Sequence, residues 1–197
     1  MRTHLLLLFI IITITACQKN IDLSGLSGSN SSAFIKYTIK KGQHYSDKSN
    51  YQSIEGNEVI FDVKFDSSAK YNTKLSENQY DINKLYGFSD NNATHQQYSA
   101  RIGWRWSDGA LRLFGYVYNN GVRASAEISQ VPIGTQIRCS IKATTGNYIF
   151  TVNDRVINLP RLSTLSTVKG YKLYPYFGGD EPAPHDINIW IKEVSAK

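Results

Sequence analysis

The stretch that decides the fold runs from Ala100-Arg101-Ile102-Gly103-Trp104-Arg105-Trp106, through Ser107-Asp108-Gly109, into Leu111-Arg112-Leu113-Phe114-Gly115-Tyr116-Val117-Tyr118 and on to Asn119-Asn120-Gly121. In the first segment Ala100, Ile102, Trp104 and Trp106 alternate with Arg101, Gly103 and Arg105, a period of two that belongs to a half-buried strand. Asp-Gly and Asn-Gly are the dipeptides that tolerate the positive φ of tight hairpin turns. The unit therefore reads as two antiparallel strands with a third following.

Working outward, the same period recurs. Ile35, Tyr37 and Ile39 alternate with Lys36, Thr38 and Lys40; Val59, Phe61, Val63 and Phe65 alternate with Ile60, Asp62, Lys64 and Asp66; Ile187, Ile189 and Ile191 alternate with Asn188, Trp190 and Lys192. Thr145-Gly146-Asn147 and Asn153-Asp154 supply further turns, so residues 98–159 read as consecutive hairpins without helical pattern. Residues 67–82 are polar and lack alternation, as expected of a long loop or a short helix. No repeat of fixed period is present. Many short strands with two apolar faces predict an all-β, antiparallel β-sandwich, and a domain over 33–197 suits a jelly roll.

The chain has 197 residues, 41% hydrophobic and 19% charged, with 13 Tyr, 8 Phe and 3 Trp and a net charge of +6. That composition excludes a disordered chain, a coiled coil and a collagen-like repeat. No Lys/Arg cluster of the nucleic-acid type occurs, so no nucleic acid is expected as a partner.

Residues 1–16 open on Arg2, run apolar from Leu5 to Ile12, and end on small residues: a secretory signal, too short to span a bilayer. Ile14-Thr15-Ala16-Cys17 resembles the bacterial lipobox, which implies cleavage before Cys17 and lipid attachment to it; the plainer reading is an ordinary signal peptide with an incidental cysteine. Several acyl chains on one residue make a durable anchor. Gln18 stands where an inner-membrane retention signal would place Asp, so the outer membrane is the expected location. Residues 17–32 are rich in Ser, Gly and Asn, and a tether of that kind reaches about 20 Å. Removing the signal takes away only Arg2, which leaves the chain mildly basic and compatible with acidic polysaccharide. Cys139, between Ile137 and Ile141, is expected in the core as a small hydrophobe.

The strand Glu58-Val-Ile-Phe-Asp-Val-Lys-Phe-Asp66, the pair Gly134-Thr-Gln-Ile-Arg-Cys-Ser-Ile-Lys142 and Tyr148-Ile-Phe-Thr-Val-Asn-Asp154, and the closing Tyr174-Pro-Tyr-Phe-Gly-Gly-Asp180 with residues 184–191 resemble the concanavalin A-like lectin/glucanase superfamily. The last two segments fit that superfamily's final strand pair. The resemblance implies a carbohydrate-related role, which fold alone does not establish.

Glycoside hydrolysis needs two carboxylates flanking one bond, and strands of such hydrolases present Glu-x-Asp-x-Glu. Glu55, Glu58, Glu77, Glu127, Glu181 and Glu193 make no such pattern, and Asp62 and Asp66 flank Lys64 on an outer strand face. Jelly-roll alginate lyases are a closer, degenerate resemblance. Their Arg-x-Glu-x-Arg strand is similar to Arg101–Arg105, with Gly103 at the Glu position. Their Gln-Ile-His strand is similar to Gln136-Ile137-Arg138, without the His. Their Tyr/Lys/Gly strand is similar to Tyr174-Pro175-Tyr176, without the Lys. The resemblance implies Gln136, Arg105 and Tyr176 as catalytic residues of a uronate lyase; the missing His removes a general base.

Independent of catalysis, Arg101 and Arg105 share one side of their strand, Arg112, Phe114, Tyr116 and Tyr118 one side of the next, and Tyr174 and Tyr176 one side of a later one. Rings stack on sugar faces and Arg grips carboxylate or sulfate, so these residues are candidates for binding an acidic polysaccharide. Cross-strand aromatic pairing that only stabilises the sheet is the competing reading. His44, His95 and His185 form no metal spacing. Asp180, Glu181 and Asp186 could place loop oxygens around a structural Ca²⁺. The expectation is a surface carbohydrate-binding lipoprotein without catalysis, with a polysaccharide lyase or an adhesin or scaffold as alternatives.

Overall fold

The computed structural model describes residues 33–195. Cys17, the tether and the signal segment lie outside them. Twelve strands are formed among the described residues: β1 (Ile35–Ile39), β2 (Ser53–Gly56), β3 (Glu58–Phe65), β4 (Asn83–Ser89), β5 (Tyr98–Ser107), β6 (Ala110–Asn119), β7 (Val122–Val131), β8 (Gln136–Ala143), β9 (Asn147–Val152), β10 (Arg155–Pro160), β11 (Val168–Leu173) and β12 (Ile187–Val194). They make two six-stranded antiparallel sheets, ordered β1-β12-β3-β8-β9-β10 and β2-β11-β4-β5-β6-β7. Residues 67–82 carry two short 3₁₀ turns, Ser67–Ala69 and Ser76–Tyr80. Asp66 caps the first by accepting from the Ser68 amide at 2.8 Å.

The hairpins follow from their turn residues. Asp108 and Gly109 sit at φ 53° and 73°, and Asn120 and Gly121 at 49° and 80°, conformations that Asp, Asn and Gly adopt most readily. The Asp108-Gly109 turn sets the register Arg101↔Tyr116 and Arg105↔Arg112, which carries both sets of polar and aromatic side chains to one face, and Asn120-Gly121 turns β6 into β7.

The opposite parity fills the space between the sheets. Ile102, Trp104, Leu113 and Val117 from one sheet meet Phe61, Val63, Phe65, Cys139, Ile141 and Phe150 from the other. Aromatic edges interlock there: Phe61 against Tyr86 with ring centroids 5.2 Å apart, Phe65 against Trp104 at 5.4 Å. Cys139 is fully buried, and burial pushes its thiol far above the ordinary range, as expected for a packing residue. A buried ion pair locks the far side: Arg161 Nε donates to Asp90 Oδ2 at 2.8 Å, and the Tyr148 hydroxyl donates to the same oxygen at 2.7 Å.

One expectation is corrected. Residues 174–180 do not form a strand pair with β12. Tyr176 joins the start of β4 through a single bridge, Lys84 N to Tyr176 O at 2.8 Å and Tyr176 N to Lys84 O at 2.9 Å. β12 lies in the other sheet, between β1 and β3. Pro175 cannot donate to a ladder and interrupts the strand at this point.

Candidate functional site

The outer face of β11-β4-β5-β6 forms the floor of an open groove of about 520 Å³. Alternation along β5 and β6 places Arg101, Tyr116 and Tyr118 in it. The loop after β11 adds Tyr174 and Tyr176, and the loop between β1 and β2 adds Tyr45 and Tyr51 as a wall. The tyrosines brace one another: Tyr116 and Tyr118 at 5.8 Å between centroids, Tyr45 and Tyr176 at 5.0 Å, Tyr51 and Tyr171 at 5.6 Å. His44 stacks behind Tyr176 at 5.4 Å and is tied down by a 2.8 Å hydrogen bond to the Phe177 carbonyl.

Arg101 is the electrostatic centre of the groove. Its side chain is buried, with 7% relative exposure, and its Nε has no hydrogen-bond partner among the described residues. Tyr116, Tyr118, Tyr171 and Tyr176 surround the charged form, Lys84 and His95 lie within its field, and its guanidinium carbon is 5.3 Å over the Tyr116 ring. Burial lowers its pKa from the usual arginine range. Burial also pushes the Tyr116 phenol up to about 12, with the Tyr118 hydrogen bond adding to it. A neutral tyrosine floor therefore surrounds a cation that lacks a counter-ion among the described residues.

The other arginines on this face are already engaged. Arg105 donates to the Tyr80 carbonyl at 2.8 Å and to Ser107 Oγ at 3.1 Å, and stacks on Phe114 at 4.7 Å. Arg112 is paired with Glu127 at 3.1 Å and Asp108 at 3.4 Å. Arg105, Arg112 and Phe114 extend the face beyond the groove without lining it.

Gln136 does not join these residues. Ile137, Cys139 and Ile141 claim the inward parity of β8, so Gln136 is exposed on the outer face of the opposite sheet, opposite Lys64. The strand that resembles the lyase Gln-Ile-His is on the wrong side of the molecule. Its Arg138 binds Asp62 instead, which also holds Lys192 at 3.3 Å. The expected cation site is not assembled either. Asp186 accepts from Lys40 Nζ at 2.8 Å and the Lys41 amide at 2.9 Å, Glu181 accepts from the Lys74 and Leu75 amides and Asn78, and Asp180 is exposed. No group of three His, Cys, Asp or Glu gathers among the described residues.

Lys84, His95 and Tyr171 also line the groove, and sequence reasoning does not single them out. Lys84 escapes because β4 carries a bulge between Lys84 and Tyr86 that breaks the alternation. Parity along Asn83-Lys84-Leu85-Tyr86 therefore gives no register. His95 lies in a polar loop, and nothing near it in the chain announces a partner. The fold brings it to Tyr171, whose hydroxyl lies 2.9 Å from Nδ1 and accepts from the His95 amide at 3.1 Å. Burial and the nearby Arg101 hold the His95 pKa below the ordinary histidine value.

The same arrangement of sheets occurs in the alginate lyase AlyC3, with a TM-score of 0.57 at 8% identity over 82% of this chain and 74% of that one. The fold is the concanavalin A-like jelly roll. The same lyase in complex with dimannuronate aligns with a TM-score of 0.52 at 8% identity, over 83% of this chain and 76% of that one. SCLam, a non-specific endo-β-1,3(4)-glucanase from family GH16, aligns with a TM-score of 0.50 at 7% identity, over 72% of this chain and 57% of its own. No family model and no curated protein matches the sequence. At these identities the likeness concerns the jelly roll itself, and the chemistry of the site rests on its own residues.

Proposed function

We propose that this jelly roll captures an acidic polysaccharide chain in the tyrosine-lined groove, as a binding protein held at the outer membrane by lipid on Cys17. The observation that carries the reading is Arg101: a buried guanidinium lining the groove among tyrosines, with no carboxylate paired to it among the described residues. A buried cation without a counter-charge is costly, and a ligand oxyanion that meets the guanidinium from the groove offsets that cost. The surrounding rings offer apolar faces for sugar C–H surfaces, and their hydroxyls reach sugar hydroxyls. That AlyC3 and SCLam, with the same fold, are named as polysaccharide-cleaving enzymes supports a carbohydrate as the occupant.

Binding is tested by titrating acidic and neutral oligosaccharides into the protein by calorimetry, with Tyr116→Ala and Gln136→Ala as paired variants. Affinity that falls for Tyr116→Ala and holds for Gln136→Ala supports the groove. Equal loss in both, or no binding of any oligosaccharide, removes it. Anchoring is tested separately: radiolabelled palmitate should enter the wild-type protein and not Cys17→Ser.

His95 and Tyr171 favour a second reading, β-elimination on a uronate. A neutral imidazole hydrogen-bonded to a phenol beside an arginine has the components of an acid–base pair. Incubation with polyuronates would then yield an unsaturated product detected by its ultraviolet absorbance. Its absence, with binding retained, leaves capture without cleavage.

A further inference from the structure

We propose that Lys84 is a specificity-determining residue of the groove: with Arg101 it forms a two-cation clamp for one oxyanion substituent, a carboxylate or a sulfate, on the bound sugar. This rests on the carbohydrate reading above and says which sugars the groove selects.

The clamp is visible in the geometry. Lys84 Nζ lies 4.9 Å and the Arg101 guanidinium carbon 5.3 Å from the same Tyr116 ring. Both side chains line the groove. Lys84 Nζ spends one donor on the Ile82 carbonyl at 2.7 Å, which fixes its position and leaves the ammonium two further hydrogens. The backbone bridge to Tyr176 holds the lysine from the other side. Gly178 makes room for the amine: a Cβ there would come within 2.6 Å of Nζ and 2.3 Å of the Ile82 oxygen. Two cations border one ring in one groove, each in the other's field, and neither is paired to a carboxylate among the described residues.

The groups facing Lys84 are Arg101 from β5, Arg123 from β7, Tyr116 from β6, Tyr176 from the loop after β11, and Asp81 before β4. Burial, then Arg101 and Arg123, bring the lysine down to about 8, and Asp81 opposes them only weakly. A bound oxyanion favours the ammonium form and raises its pKa. Binding above pH 8 therefore takes up a proton, and affinity falls as pH rises, by up to about tenfold per pH unit. Tyr116, pushed up to about 12, stays neutral over that range, and Arg101 remains charged.

The test compares calorimetric titrations of a polyuronate oligosaccharide, a sulfated galactan oligosaccharide and a neutral β-glucan oligosaccharide at pH 7 and pH 9.5. Wild-type protein should prefer an acidic oligosaccharide, with the two acidic arms distinguishing carboxylate from sulfate, and lose about tenfold or more of that affinity at the higher pH. Lys84→Gln should bind the acidic ligand about tenfold more weakly at pH 7 and show no pH dependence, whereas Lys84→Arg should keep the pH 7 affinity and hold it at pH 9.5. Lys84→Gln binding like wild type, or a pH dependence that survives in Lys84→Arg, overturns the clamp. Equal wild-type affinity for neutral and acidic oligosaccharides overturns it while leaving carbohydrate capture intact; no binding to any of the three overturns both. A readout that needs no variant to bind is the NMR titration of ¹³C-methylated lysines, the Lys84 signal being the one absent from Lys84→Arg. Its midpoint should lie near pH 8 and rise with acidic ligand; an ordinary lysine midpoint, or one unmoved by ligand, counts against the proposal.

Discussion

Arg101→Met is expected to stabilise the protein while weakening its ligand affinity. Met matches the arginine side chain as far as the Nε position, so packing around the stem is largely kept while the guanidinium over Tyr116 is removed. What disappears is a buried charge with an unpartnered Nε. Relief of an unsatisfied buried donor contributes about 1–3 kcal/mol, and loss of the cation–π contact with Tyr116 offsets about 0.5–1 kcal/mol of it. The net gain is about 0–2.5 kcal/mol, which for a domain of this size is a rise in Tm of up to roughly 10 °C. The same substitution removes a charge-assisted hydrogen bond to the ligand, about 1.5–3 kcal/mol or roughly 10- to 150-fold in Kd. Differential scanning calorimetry and isothermal titration on the same preparation read both quantities. A fall in Tm would show that Arg101 is satisfied in the free protein. An unchanged Kd would show that no ligand group reaches it. Either result refutes the reasoning.

Arg161→Leu leaves the Asp90 carboxylate buried without a counter-charge, held only by the Tyr148 hydroxyl and the Asn91 amide, and should cost about 3–5 kcal/mol in urea unfolding. Asp62 is buried, which works against its charge, but hydrogen bonds from Arg138 and Lys192 outweigh that and hold its pKa below the usual carboxylate value. Its stabilisation is therefore complete above the unfolded pKa near 4 and lost as pH falls through the lower folded one; Asp62→Asn should lose on the order of 2 kcal/mol at pH 7 and show a flatter acid limb in thermal melts. Gly115→Val should cost about 1–3 kcal/mol by overpacking in chemical denaturation, because a Cβ at Gly115 already meets Phe150 and Ile157 at 3.0 Å.

The sandwich is legible in the sequence because burial imposes a period of two, and Asp108-Gly109 specifies the turn that sets the register between β5 and β6. From that register alone Arg101, Tyr116 and Tyr118 fall on one face. The remainder of the site depends on long-range placement. Parity says which residues share a face but not which of two sheets they belong to, so it cannot separate Gln136, on the far side of the molecule, from the groove residues. The bulge at Lys84 defeats parity altogether. His95 and Tyr171 are 76 residues apart in the chain, and only the packing of a loop against β11 brings them together.

The most direct measurement is a crystal structure of the protein with an acidic oligosaccharide bound. A sugar is expected along Tyr116, Tyr118 and Tyr176, with a carboxylate or sulfate oxygen within hydrogen-bonding distance of the Arg101 guanidinium. An oligosaccharide seated on the outer face of the β3-β8 sheet, or in the groove with its acidic group turned to solvent, would contradict it.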